Sequence, residues 1–220
     1  MELKQIKNSI PKEIYEILEK EIKELRPAQE KSIEKGLLDK KNLLVCTPTA
    51  SGKTLVAELA AMKSIVSENG KAIYIAPLKA LASEKYKHFK KRYGSLAKVA
   101  LTIGDIDSAD DYLSEYDLIV TTSEKLDSLT RHNAQWLSSI TVLIIDEIHL
   151  LNDQQRGPTL EIIITILKKL LKNLQVIGLS ATIGNAKELA DWLEADLVFD
   201  DWRPVKLYQG VYLDGEIEFQ

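Results

Sequence analysis

The stretch Asn42-Leu43-Leu44-Val45-Cys46-Thr47-Pro48-Thr49-Ala50-Ser51-Gly52-Lys53-Thr54 divides into an apolar run, a string of small residues and the start of a helix-patterned segment. An uninterrupted apolar run fits a strand covered on both faces, as in a parallel sheet. Asn42–Cys46 is therefore read as a strand and Thr54–Val66 as a helix. A strand, a loop of small residues and a helix form the setting of a phosphate-binding loop. Small residues let backbone N–H groups turn inward toward phosphate oxygens, and the helix N-terminus adds its dipole. In that reading Thr47, Pro48, Thr49, Ala50, Ser51 and Gly52 form the cradle. Lys53 reaches the β- and γ-phosphates, and the Thr54 hydroxyl ligates Mg²⁺. The strict pattern places glycine at position 47, where this chain has threonine. The plainer alternative is an ordinary strand–turn–helix with Gly52 in the turn.

Working outward, short β-branched runs alternate with longer helical patterns over the whole chain. Further strands are expected at Ala72–Ala76, Val99–Ile103, Leu118–Thr121, Val142–Ile145, Val176–Leu179 and Leu197–Phe199. Helices are expected at Leu78–Arg92, Ser123–Thr130, Thr159–Leu171 and Ala186–Leu193. This alternation predicts an α/β fold with a mainly parallel central sheet flanked by helices. Pro11–Gly36 reads as one or two short charged helices ahead of it, with Pro27 starting the second. Ligands of such sheets bind beyond the carboxyl ends of the strands. Those ends carry Thr47–Thr54, Pro77–Lys79, Gly104-Asp105, Thr121–Lys125, Asp146-Glu147 and Ser180-Ala181-Thr182. Small, hydroxylated and charged residues at nearly every strand end exceed what a purely structural sheet needs.

Val142-Leu143-Ile144-Ile145-Asp146-Glu147 is an apolar strand ending in two carboxylates. Asp146 is placed to hold the same Mg²⁺ as Thr54, and Glu147 to polarise an attacking water as general base. A pair of solvated acids in a loop is the alternative. His149 follows two residues on; it is either a packing residue or a relay of nucleotide state.

Composition removes several classes. The chain has 29 basic and 33 acidic residues among 220, a net charge of −4. Nucleic-acid contact must then come from a local surface and not from a global positive field. Cys46, the single cysteine, forms neither an intrachain disulfide nor a cysteine zinc site. No apolar run approaches the length of a membrane span, and the start lacks a signal-peptide core, so a cytoplasmic protein is expected. No Asn-Lys-x-Asp guanine-reading string occurs, which argues against a GTPase.

Asp146-Glu147-Ile148-His149 together with the phosphate loop resembles the motor domain of superfamily 2 helicases. The detailed strings resemble the Ski2-like branch and, within it, the archaeal Hjm-type DNA helicases. Leu25-Arg26-Pro27-Ala28-Gln29 resembles the adenine-reading segment, with Gln29 bonding the base edge. Thr47–Thr54 resembles motif I, Ala76–Leu81 motif Ia, Thr121–Leu126 motif Ib and Leu179–Asn185 motif III. Gly104-Asp105 resembles a further nucleic-acid contact loop, Arg156–Glu161 the segment after motif II, and Asp201–Val205 the exit segment. The resemblance covers roughly residues 25 to 213, in order.

It implies a RecA-like three-layer lobe that uses ATP and Mg²⁺, with Lys53, Asp146 and Glu147 at the chemistry. Residues 1–36 would be N-terminal helices with the adenine-reading glutamine, 37–202 the ATP-binding lobe, and 203–220 an exit segment toward a second RecA-like lobe. His149, Ser180, Ala181 and Thr182 would couple hydrolysis to strand movement. Pro77, Leu78, Lys79, Gly104, Asp105, Thr122, Ser123, Glu124, Lys125 and Arg156 would contact single-stranded or forked nucleic acid, DNA in preference to RNA. The resemblance implies 3′-to-5′ movement. A monomeric fragment is expected, one that binds Mg-nucleotide, turns it over feebly and does not unwind duplex alone. The alternatives are a lobe of a Ski2-like RNA helicase and a nucleotide-binding module without helicase action of its own.

Overall fold

A computed structural model describes residues 1–104, 110–132, 134–206, 208, 210–213 and 215–219. After a 3-10 turn at Leu3–Ile6 come α1 (Lys12–Leu18), α2 (Pro27–Glu34), β1 (Leu43–Cys46), α3 (Lys53–Glu68), β2 (Lys71–Ile75), α4 (Lys79–Tyr93) and β3 (Val99–Thr102). Then follow β4 (Leu118–Thr121), α5 (Ser123–Arg131), β5 (Ile140–Ile145), α6 (Gly157–Leu170), β6 (Gln175–Ser180), α7 (Ala186–Leu193) and β7 (Asp196–Phe199). A hairpin of β8 (Gly210–Leu213) and β9 (Glu216–Phe219) closes the described chain.

Strands β1 to β7 form one sheet in the order β3-β4-β2-β5-β6-β1-β7. Every pairing in it is parallel. Side chains alternate between faces with period two, and each face has its own core. On one side Leu43, Val45, Tyr74, Val142 and Ile144 pack with Leu55, Leu59 and Met62 of α3 and Phe89 of α4. On the other, Leu44, Cys46, Ile73, Leu143 and Ile145 pack with Leu126 of α5, Ile163 and Ile164 of α6 and Leu193 of α7. The strands read as continuous apolar runs because both faces are covered, and the three-layer α/β expectation holds. Each fully buried leucine or isoleucine contributes about 1.5–3 kcal/mol.

The N-terminal segment shares the first of these cores through Leu3, Ile6, Ile10, Ile14, Leu18 and Leu25. Pro27 opens α2, as expected, and Gln29 accepts the Arg26 N–H at 2.8 Å, which caps the helix start. Two differences from the sequence reading have local causes. Helix α3 runs on to Glu68 because the stop is Asn69, in the left-handed conformation at φ 52°. The hairpin β8–β9 was not expected. Its signal is the Asp214-Gly215 pair between Leu213 and Glu216, the dipeptide that tight hairpins favour; Gly215 has φ 92°.

Candidate nucleotide-binding site

The loop after β1 is held by its own side chains. Thr47 and Ser51, both buried, share a hydroxyl–hydroxyl hydrogen bond of 2.6 Å. Thr47 thus does a bridging job that glycine at this position would leave undone. The Thr47 N–H donates to Ser180 O on β6 at 3.2 Å, which ties the loop to the adjacent strand end. Lys53 Nζ donates to Thr47 O at 2.7 Å. Burial lowers the Lys53 pKa, and the nearby carboxylates of Glu147 and Asp146 offset that only in part.

Residues ahead of β1 brace the same loop. Gln29, buried, donates from Nε2 to Gly52 O at 2.9 Å while its Oε1 holds Arg26 N. Both ends of the amide are engaged with the protein, which leaves one N–H and one lone pair uncommitted. Arg26 Nη1 donates to Ala50 O, and its guanidinium lies over the Trp202 ring, 5.8 Å from the centroid. Ala50 and Glu147 both have left-handed backbone, at φ 65° and 51°, a conformation costing about 1–2 kcal/mol for a residue with a Cβ. Strain at non-glycine positions collects where geometry serves function.

Asp146 leaves β5 with its N–H on Ile75 O at 2.9 Å. Its Oδ2 accepts the Tyr74 hydroxyl at 2.6 Å, and its Oδ1 accepts the Glu147 N–H at 3.1 Å. Burial, followed by the Asp146 charge, raises the Tyr74 pKa well above its ordinary value, so this hydroxyl stays a donor. Lys85 Nζ donates to Thr54 Oγ1 at 3.2 Å and lies 3.8 Å from Asp146 Oδ2. Thr54 and Asp146 therefore converge on one cation. His149 Nδ1 sits 3.3 Å from Ser180 Oγ and 3.4 Å from Glu147 Oε2, bringing the acidic turn and the β6 exit into contact. Ala181 and the exposed Thr182 continue that exit.

The carboxyl edge of the sheet has two halves. Thr47–Thr54, Asp146-Glu147 and Ser180–Thr182 follow β1, β5 and β6, which are neighbours. Pro77–Lys79, Gly104 and Thr122–Lys125 follow β2, β3 and β4, also neighbours. The halves meet at the β2–β5 pairing, where Arg156 Nη1 reaches Pro77 O at 3.4 Å. Leu78, Lys79, Gly104 and Glu124 are exposed on the second half. Thr122 and Ser123 are buried. Lys125 is 3% exposed, with Nζ 3.0 Å from Asp110 Oδ2, so its ammonium is engaged within the protein. Asp105 lies outside the described residues.

Tyr74, Lys85 and Arg26 at the site were not reached from sequence. Tyr74 reads as one more apolar strand position and Lys85 as one lysine of a lysine-rich helix. Arg26 alone had a signal, its place beside Gln29. Among the described residues no group of three or more His, Cys, Asp or Glu is arranged to hold a metal ion, and no helix is long and apolar enough to cross a membrane.

Residues 26–189 match the sequence model of the DEAD/DEAH box helicases. The chain is 54% identical over 205 residues to the ATP-dependent DNA helicase Hel308 of Methanococcus vannielii, covering 90% of this chain and 27% of that protein. The Hel308 of Methanocaldococcus jannaschii is 55% identical over 205 residues, with 90% and 17% covered. That of Pyrococcus abyssi is 51% identical over 208, with 94% and 29% covered. The chain thus spans less than a third of the length of these curated relatives. The crystal structure of the DUF1998 helicase MrfA bound to DNA superposes with a TM-score of 0.75 at 25% identity, covering 88% of this chain and 30% of that one.

Proposed function

The chain belongs to the DEAD/DEAH box helicase family, and from that premise we propose that it is the ATP-binding motor lobe of a cytoplasmic 3′-to-5′ DNA helicase of the Ski2-like branch. A second RecA-like lobe completes the engine, and single-stranded or forked DNA is the track. The observation that carries this reading is the divided carboxyl edge. Phosphate-loop and acidic residues occupy one half, exposed strand-end turns the other, and the two meet at one strand pairing.

The chemistry follows from the positions. The N-terminus of α3 and the loop N–H groups bind phosphate oxygens, and Lys53 exchanges Thr47 O for a phosphate. Gln29 and Arg26 hold the loop and offer their remaining hydrogen-bonding capacity to the base. Glu147, turned outward by its left-handed backbone, takes a proton from the attacking water. The hard oxygens of Thr54 and Asp146 fit Mg²⁺, since both already reach one cation. The bound ion would neutralise charge developing on the phosphates. The contact of His149 with Ser180 passes the state of the acidic turn to the β6 exit. On the other half Pro77–Lys79, Gly104, Thr122–Glu124 and Arg156 contact the strand through backbone amides and short side chains, which agrees with a net charge of −4.

The test is ATP hydrolysis by the longer protein with its second lobe, titrated with single-stranded DNA and, separately, RNA of the same sequence at fixed salt. DNA is expected to stimulate turnover, and Glu147→Gln to abolish it while nucleotide binding persists. Stimulation by RNA alone would place the lobe in RNA processing. Undiminished turnover by Glu147→Gln would remove the proposed base.

A further inference from the structure

Helix α4 brings into the nucleotide half a lysine that this mechanism does not use. The Lys85 side chain is only 17% exposed, and its ammonium lies between Thr54 Oγ1, at 3.2 Å, and Asp146 Oδ2, at 3.8 Å. It also lies 5.9 Å from the centroid of the Tyr74 ring, whose hydroxyl donates to the same Asp146 oxygen at 2.6 Å. The ammonium is therefore directed at the same two oxygens that the mechanism assigns to a divalent cation. An ammonium and a divalent ion both seek these oxygens and repel each other at this range, so both cannot keep these contacts.

We propose that Lys85 is a positioning residue that competes with the divalent cation for Thr54 and Asp146, and so sets the metal concentration at which nucleotide is held. The inference rests on the nucleotide reading above. A neighbouring cavity of about 450 Å³, lined by Gln29, Thr54, Glu58, Glu84 and Lys85 itself, leaves the side chain room to move off these two oxygens. The arrangement also links the two halves of the edge, because Lys85 stands on the helix whose first residue is Lys79, beside the exposed turn Pro77-Leu78.

The test uses Mn²⁺ as the probe, titrated into the 220-residue chain with saturating ADP while free Mn²⁺ is followed by electron paramagnetic resonance. Lys85→Met keeps the aliphatic stem over Tyr74 and removes the charge. The half-saturating Mn²⁺ concentration is expected to fall by about fivefold or more, with Lys85→Arg staying near the parent value. Lys85→Gln, a second neutral variant, should move with Lys85→Met and serves if the methionine variant does not fold. Mn²⁺ binding that is no tighter, or weaker, in both neutral variants would overturn the competition. Mn²⁺ uptake by the parent chain with ADP that does not exceed uptake by the same ADP alone would instead overturn the nucleotide reading and this inference with it.

Discussion

Gly52 carries two demands at once. Its φ is 93°, and a Cβ there would come within 2.3 Å of Gln29 Nε2 and 3.0 Å of Arg26 Cδ. Left-handed backbone penalises any side chain, and the neighbours that would have to move are the ones bracing the loop. Gly52→Ala is expected to cost about 1–3 kcal/mol of stability and to weaken nucleotide binding, both read from urea unfolding and an ADP isotherm. Unchanged values in both would mean that the Gln29 brace is idle. At this scale the sequence was informative about residue types. The Gly-Lys-Thr triplet and Asp146-Glu147 stood out by themselves, Gln29 only through the family resemblance, and all lie at one edge. What it did not carry was the partner of each. The Thr47–Ser51 hydroxyl pair explains the departure from glycine only once the loop is folded, and Tyr74 meets Asp146 only because β2 and β5 are neighbours.

Helices α3 and α4 are joined by a buried carboxylate. Glu58 is 1% exposed and receives His88 Nε2 at 2.7 Å, Arg92 Nη1 at 2.8 Å and Tyr93 Oη at 2.7 Å. A second Arg92 nitrogen, Nη2, lies 3.0 Å from Glu21 beyond α1, so the cluster also anchors the N-terminal segment. Removing the acceptor leaves the Tyr93 hydroxyl and Arg92 Nη1 without it inside, and Glu58→Ala is expected to cost about 3 kcal/mol, seen as a lower denaturation midpoint; Glu58→Gln should recover part of it. Burial, then the Glu58 charge, holds the Tyr93 pKa well above its ordinary 10.0, and Tyr74 is raised in the same way. A raised tyrosine pKa means stability that is complete below the unfolded value and is lost as pH rises toward the folded one. Unfolding midpoints should therefore decline above about pH 10, and less steeply in Tyr93→Phe. The helices themselves were legible from periodicity to within a few residues. This cluster was not, because Glu58 and its partners lie 30 to 35 positions apart in the chain.

At the scale of the whole molecule, the seven apolar runs and their polar exits predicted a parallel sheet with its ligands at one edge. Their order was not legible, because parallel strands joined by helices can be wound in several orders and no local residue records which was taken. Only the order β3-β4-β2-β5-β6-β1-β7 shows that the strand-end segments divide into two halves with a seam between β2 and β5. The hairpin β8–β9 and the exposed Val205, Tyr208, Val211 and Tyr212 around it also belong to this scale, beyond the sheet.

The central claim is that Thr47–Thr54 binds a nucleotide through Lys53, and titration calorimetry of MgADP into the 220-residue chain tests it most directly. The account predicts one site per chain. Lys53→Ala should weaken it at least tenfold, since a charged hydrogen bond contributes about 1.5–3 kcal/mol. An isotherm for Lys53→Ala that superposes on that of the parent chain, or a parent chain that takes up no nucleotide, would contradict it.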